Sequence, residues 1–340
     1  MCNTRSKTPV LEPRFPVKSS TVSNPLVSVL VLSYNRRQCT LECLESVRRQ
    51  TYRPIEMVVL DNGSRDGSAD AVAAEFPEAT LIRMPCNYGD WEGRDIAAAN
   101  CRGEFLFSLD NDATAEPDLV EKLVARMRLE PEVAAVQPRV VDPKTFEVED
   151  AGISTQFCEQ EHYRASFLGG AALFRMGALR AAGGFPHYLL GGAEAHLTYR
   201  FLDMGYRILY FPGGTIYHAK SSQERVPHQR YYLITLQRLR ALMAHYPGLI
   251  RPLVELHWKP ASYALGAIRR GFLRHVPGDV LRLWLGGLRA WRGPWRIKKS
   301  TVRLVDFLKH NAVTSQEEYV AISTRHTSLF TVAIRRLRYP

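Results

Sequence analysis

From Val27 onward, short apolar runs of strand length alternate with stripes at helical spacing, and this alternation restricts the fold more than any other feature of the chain. Residues 27–33 are apolar, 37–50 carry Leu41, Leu44 and Val47 on one helical face, and 55–60 are apolar again. Strand, helix and strand at this spacing form a βαβ unit, which implies parallel strands and right-handed crossovers. Asp61 closes the second run, and a turn-rich segment then opens a helix over 69–76. A third strand is expected at 80–84 and a helix around 94–101, ahead of a fourth apolar run at 105–109. The expected class is α/β, with a mostly parallel sheet flanked by helices.

The fourth run ends abruptly in Asp110-Asn111-Asp112. The carboxyl end of a parallel strand is where open α/β sheets bind ligands. Two carboxylates this close repel one another and burial penalises both charges, so a cation between them is a simple reason for the pattern. Oxygen ligands of this kind suit Mg²⁺ or Mn²⁺. The competing reading is local: Asp112 or Thr114 caps a helix that starts near Pro117.

Other functions are disfavoured by what the sequence lacks. Ser33-Tyr34-Asn35 stands where a dinucleotide-binding turn needs its glycines, and no phosphate-loop motif is present. The six cysteines, at 2, 39, 43, 86, 101 and 158, make no CxxC, so reduced thiols in a cytoplasmic protein are expected. Residues 1–26, with four prolines and no apolar centre, are expected to form a loose arm. No run of 18 apolar residues offers a membrane span. Residues 221–340 hold 21 of the 45 Lys and Arg but only 6 of the 34 Asp and Glu, so a mildly acidic body carries a strongly basic tail.

Four segments then occur in a telling order: Val27 to Arg36 with Ser33-Tyr34-Asn35, Gln50-Thr51-Tyr52, Val58 to Ser64 with Asp61-Asn62-Gly63-Ser64, and Leu109-Asp110-Asn111-Asp112. Together they resemble the successive signatures of family 2 glycosyltransferases of GT-A fold, with a rhamnosyltransferase-like cast. Gly169 to Arg175, Gly183-Gly184-Phe185, and Gly205-Tyr206-Arg207-Ile208 through His218 are similar to the acceptor half of that family. The resemblance covers roughly residues 27–220 and implies a metal-dependent inverting enzyme. Such an enzyme moves a sugar from a nucleoside-diphosphate sugar to a hydroxyl on a glycan or lipid-linked acceptor of the cell envelope. A catalytically altered relative that only binds nucleotide-sugar or glycan is the alternative.

The resemblance also assigns roles to residues. Ser33, Tyr34, Asn35, Asp61, Arg94 and Asp110 would bind the nucleotide-sugar, with Tyr34 stacking on the base and Asp61 accepting an N–H. A rim aromatic and an Asx-turn residue are the plainer readings of Tyr34 and Asp61. Arg94, expected to begin a helix, is either a partner of phosphate or carboxylate or a solvated cation. Asp110, Asp112 and His218 would hold Mn²⁺ or Mg²⁺, unless His218 is only structural. Ala193-Glu194-Ala195-His196 replaces the family's Glu-Asp-x-Asp, so Glu194 becomes the general base by position, against a helix N-terminal charge as the alternative. Asp203 reads as a solvated helix residue, and Gly191-Gly192 as either a mobile lid over the donor or ordinary loop.

The expected organisation is an arm at 1–26, a catalytic domain at 27–225 and a basic amphipathic helical extension at 226–340. The catalytic domain divides into a nucleotide-sugar half, 27–115, and an acceptor half, 116–225. In the extension, Tyr232, Leu236, Leu239 and Met243 form one stripe, and Leu281, Trp284, Leu285, Leu288 and Trp291 another, both beside arginines. This pattern fits either an anionic membrane surface, which would make the protein peripheral on the inner face of the cytoplasmic membrane, or a helical subdomain with a basic outer face. Nucleic acid is not expected, because no nucleic-acid motif accompanies the charge.

Overall fold

A computed structural model describes residues 24–149, 157–186, 193–219, 227–248, 250–291, 296–309 and 311–324. Most of the arm expected over 1–26, and Gly191-Gly192, lie outside the described residues. Strands β1 (Val27–Ser33), β2 (Ile55–Asp61), β3 (Thr80–Arg83) and β4 (Phe105–Asp110) alternate with helices α1 (Arg37–Arg48), α2 (Ser68–Glu75) and α3 (Asp90–Ala98). Next come β5 (Ala113–Ala115), α4 (Leu119–Leu129), β6 (Val133–Val141), β7 (His162–Tyr163), β8 (Ala171–Arg175), α5 (Met176–Ala181), α6 (Ala193–Asp203) and β9 (Arg207–His218). The described residues form one nine-stranded sheet in the order β3-β2-β1-β4-β8-β6-β9-β5, with β7 paired to β9.

The strands β1 to β4 are parallel, as the βαβ spacing requires. Beyond β4 the sheet is mixed: β8 runs antiparallel to both β4 and β6, whereas β6 and β9 are parallel. The central strands β1 and β4 are mostly apolar because both faces are covered. Val27, Val29 and Val31 pack with Phe105, Phe107 and Leu109 against Leu44 and Val47 of α1. Leu30, Leu60 and Leu106 face the other way, toward Trp91 and Ala97 of α3.

The basic tail divides in two. Helices α7 (Pro227–His245), α8 (Ile250–Arg269) and α9 (Val276–Ala290) share a separate core that includes Leu236, Leu239, Met243, Leu256, Tyr263 and Leu283. Leu236, Leu239 and Met243 of the α7 stripe are therefore buried inside the protein, with Tyr232 packed partly on the same core, which corrects its reading as a surface for lipid. On α9, Leu281, Trp284 and Leu285 stay exposed, while Leu288 and Trp291 pack partly on the helical core. Helices α10 (Lys299–Leu308) and α11 (Gln316–Thr324) return to the sheet, where Leu304, Leu308, Val313 and Tyr319 join its core. Tyr163 N–H donates to the Val313 carbonyl at 2.8 Å.

Asp203 is not a solvated helix residue. Its Oδ1 accepts from Lys298 N–H at 2.7 Å and Thr301 Oγ at 2.8 Å, satisfying donors at the start of α10 from across the interface.

Candidate active site

Strand register brings the expected residues together. Ser33 lies opposite Asp61 between β1 and β2, and Leu32 lies opposite Asp110 between β1 and β4, so three strand ends meet at one edge. The chain then turns into β5, whose Ala113 pairs with His218 of β9. This pairing carries His218 to Asp112, and it rules out the helix-cap reading of Asp112, since residues 113–115 are strand and α4 begins only at Leu119.

Ligand atoms of Asp110, Asp112 and His218 all lie within 4.8 Å of one another. His218 Nε2 is 3.2 Å from Asp112 Oδ1, and His218 Nδ1 is 2.8 Å from Glu149 Oε2. Burial alone would lower the His218 pKa, but the hydrogen bonds to Asp112 and Glu149 and the charges of both aspartates raise it to about 10. Burial would likewise raise the Asp112 pKa, yet the hydrogen bond from His218 and the charges of His218 and Arg36 hold it below the usual carboxylate range. Two carboxylates and an imidazole within this span fit a divalent cation such as Mn²⁺ or Mg²⁺.

Two arginines stabilise this acidic cluster. Arg36 donates to Asp112 through Nη1. It follows Asn35, and both adopt left-handed backbone conformations, with φ of 55° and 61°. Such conformations cost non-glycine residues about 1–2 kcal/mol each, so local bonds must hold them. Asn35 N–H donates to Ser64 Oγ at 2.8 Å, Asn35 Oδ1 accepts from Arg65 N–H at 3.1 Å, and the Asn35 carbonyl accepts from Asn111 Nδ2 at 3.2 Å. The second arginine, Arg94, is only 1% exposed and donates to Asp90, Ser108 and Asp110. Helix α3 starts at Asp90, earlier than expected, so Arg94 does not begin the helix and is not a solvated cation. It lies beneath the site and holds Asp110. Gly170 matters for the same reason, because a Cβ there would collide with the Asp110 carboxylate.

Asp61 is 4% exposed. Its Oδ2 accepts from Ser64 N–H at 3.0 Å, which is the Asx-turn role, while its buried Oδ1 has no hydrogen-bond partner among the described residues. Tyr34 stands at the rim, 42% exposed. The Ser33 hydroxyl is buried, 3.1 Å from Thr40 Oγ1. The Asn35 side chain is committed to its loop.

Glu194 sits in the first turn of α6, half-buried. After α5 the chain is tied to α3, where Phe185 N–H donates to Asp95 Oδ1 at 2.8 Å, one residue from Arg94. His196, which occupies a family carboxylate position, is buried with Nδ1 2.7 Å from His245 Nε2 of α7. Burial, with the neighbouring His245 and Arg200, lowers its pKa to about 2. The departure at His196 thus serves the packing of α7 on α6. Sequence reasoning gave no role to Arg36, although it directly follows Tyr34-Asn35, and overlooked Glu149, which belongs to no recognisable motif.

Residues 28–181 match the sequence model described as Glycosyl transferase family 2. A putative glycosyltransferase, EpsH of Bacillus subtilis, is 30% identical over 149 residues, which is 42% of this chain and 42% of that protein. An N-acetylglucosaminyltransferase of Rhizobium meliloti is 27% identical over 220 residues, 56% of this chain and 50% of that one. The chain thus spans about half the length, or less, of these curated relatives. Among solved structures, a mannosyltransferase of Pyrobaculum calidifontis in complex with GDP-Man and Mn²⁺ superposes with a TM-score of 0.52 at 21% identity, covering 89% of this chain and 87% of that one. GalNAc-T7 with UDP, GalNAc and Mn²⁺ gives a TM-score of 0.56 at 15% identity, covering 79% and 55%. At these identities the likeness speaks for the fold, which is GT-A.

Proposed function

We propose that this chain, whose residues 28–181 match the Glycosyl transferase family 2 model, transfers a sugar, with inversion, from a nucleoside-diphosphate sugar to a hydroxyl. The observation that carries the reading is the convergence of Asp110, Asp112 and His218 at the same sheet edge as Asp61, whose buried Oδ1 has no hydrogen-bond partner among the described residues. A buried acceptor without a partner loses about 1–3 kcal/mol, which an N–H of the donor's base would recover. Tyr34 stacks on the base from the rim. Asp110, Asp112 and His218 hold Mn²⁺ or Mg²⁺, and the ion, when bound, supplies Lewis-acid stabilisation of the diphosphate's charge.

Glu194 takes the proton of the acceptor hydroxyl. The new bond from that oxygen to the anomeric carbon forms as the bond to the diphosphate breaks on the opposite face. The test measures release of nucleoside diphosphate from a panel of donors, dTDP-rhamnose among them. Wild type should release it in the presence of acceptor, and Glu194→Gln should still bind donor but lose turnover by at least about 100-fold. Unchanged turnover in Glu194→Gln would remove it as the base.

The acceptor is a glycan or a lipid-linked glycan of the cell envelope, met at the inner face of the cytoplasmic membrane. Support comes from α8, α9 and the turn between them, which expose Ile250, Val254, Trp258, Leu265, Leu281 and Trp284 together with Arg269, Arg270, Arg274 and Arg282. Apolar side chains bordered by arginine are complementary to an anionic lipid surface. Among the described residues no helix is long and apolar enough to cross a membrane.

A further inference from the structure

We propose that Glu149 is a positioning residue for the metal site, holding the His218 ring so that Nε2 faces Asp110 and Asp112. The inference rests on the metal reading above and concerns a residue that belongs to none of its motifs. Glu149 Oε2 lies 2.8 Å from His218 Nδ1, on the side of the ring away from Asp112, and it stands outside the group of three mutually close ligands. A histidine with its far nitrogen bonded to a carboxylate has its tautomer and ring orientation fixed, and its near nitrogen becomes a better ligand.

The backbone around Glu149 places it deliberately. Strand β6 runs parallel to β9, with Val140 opposite Ile216 and Val141 opposite Tyr217, so β6 ends beside His218. There the chain folds back in a tight hairpin. Asp142 N–H donates to the Glu147 carbonyl at 3.0 Å, Asp142 Oδ1 accepts from Lys144 N–H at 2.8 Å, and Val141 bridges Val148. Glu149 N–H then donates to the Val140 carbonyl at 2.7 Å. The returning leg thus lies along β6 and delivers the carboxylate to the ring. A loop that only closed the chain would not need a carboxylate at this nitrogen.

Mn²⁺ affinity, measured on the full chain by electron paramagnetic resonance of the free ion without any donor, tests the proposal. Glu149→Ala should weaken binding by about 10–100-fold. Glu149→Gln, whose carbonyl can still accept from Nδ1–H, should weaken it less. His218→Ala should also weaken binding, and Glu149→Ala in that background should add little, because Glu149 acts through His218. Melting without metal reports the folding of each variant, and if Glu149→Ala fails to fold, Glu149→Gln and Glu149→Asp carry the comparison. Affinity within twofold of wild type in the Glu149 variants, alongside an impaired His218→Ala, overturns the proposal. Full additivity in the double variant also overturns it. An unchanged His218→Ala would instead overturn the metal reading itself.

Discussion

At the scale of single residues, Asp61 and His196 show how one side chain can answer two demands. Asp61 uses one oxygen for its turn and leaves the other buried without a described partner. Asp61→Ala should therefore weaken nucleotide affinity by about 10-fold or more, as read by calorimetry. His196 is held neutral in the fold, with its pKa lowered to about 2. The unfolded chain takes up this proton below about pH 6.5, so the linked stability is present above that pH and is lost as pH falls, by up to about 1.4 kcal/mol per unit. Thermal melts at pH 7 and pH 5 should show a loss of about 2 kcal/mol from this group in wild type that is absent in His196→Gln. The placing of Asp110 and Asp112 at a strand's carboxyl end was legible because strand and acid are adjacent in sequence. The buried histidine pair was not, since residues 196 and 245 meet only through the docking of α7 on α6.

Elements were legible where hydrophobic period decides them and illegible where tertiary pairing does. The parallel strands β1 to β4 follow from apolar runs at βαβ spacing. By contrast, β5 has three residues and exists because β9 pairs with it, so Asp112 could be misread as a helix cap. The start of α3 at Asp90 follows from acidic residues in its first turn, and this moved Arg94 from a helix end to a position under Asp110. Long-range capping is equally hidden: Asp203 and Thr301 are 98 residues apart. Asp203→Ala should lower unfolding stability by about 1 kcal/mol in denaturant melts while leaving the turnover number of the folded enzyme unchanged. A loss of turnover without loss of stability would place Asp203 in the chemistry instead.

Over the whole molecule, charge and exposed apolar surface coincide in the tail, where α8 turns Trp258 (63% exposed) and Ile250 (82% exposed) outward and α9 turns Leu281 and Trp284. Sedimentation should find the protein with vesicles of phosphatidylglycerol but not phosphatidylcholine, and salt or Trp258→Glu should release it. Equal binding to neutral vesicles would contradict the charge argument, and no binding to either would remove the lipid partner. The most direct measurement is calorimetric titration of UDP, GDP and dTDP with and without Mn²⁺ against wild type and Asp112→Ala. The account predicts that at least one nucleotide binds wild type only with the ion present, and that Asp112→Ala abolishes this dependence together with the affinity. Nucleotide bound equally well in EDTA, or by Asp112→Ala as tightly as by wild type, would contradict the claim that the three side chains at the strand ends seat a cation for the donor.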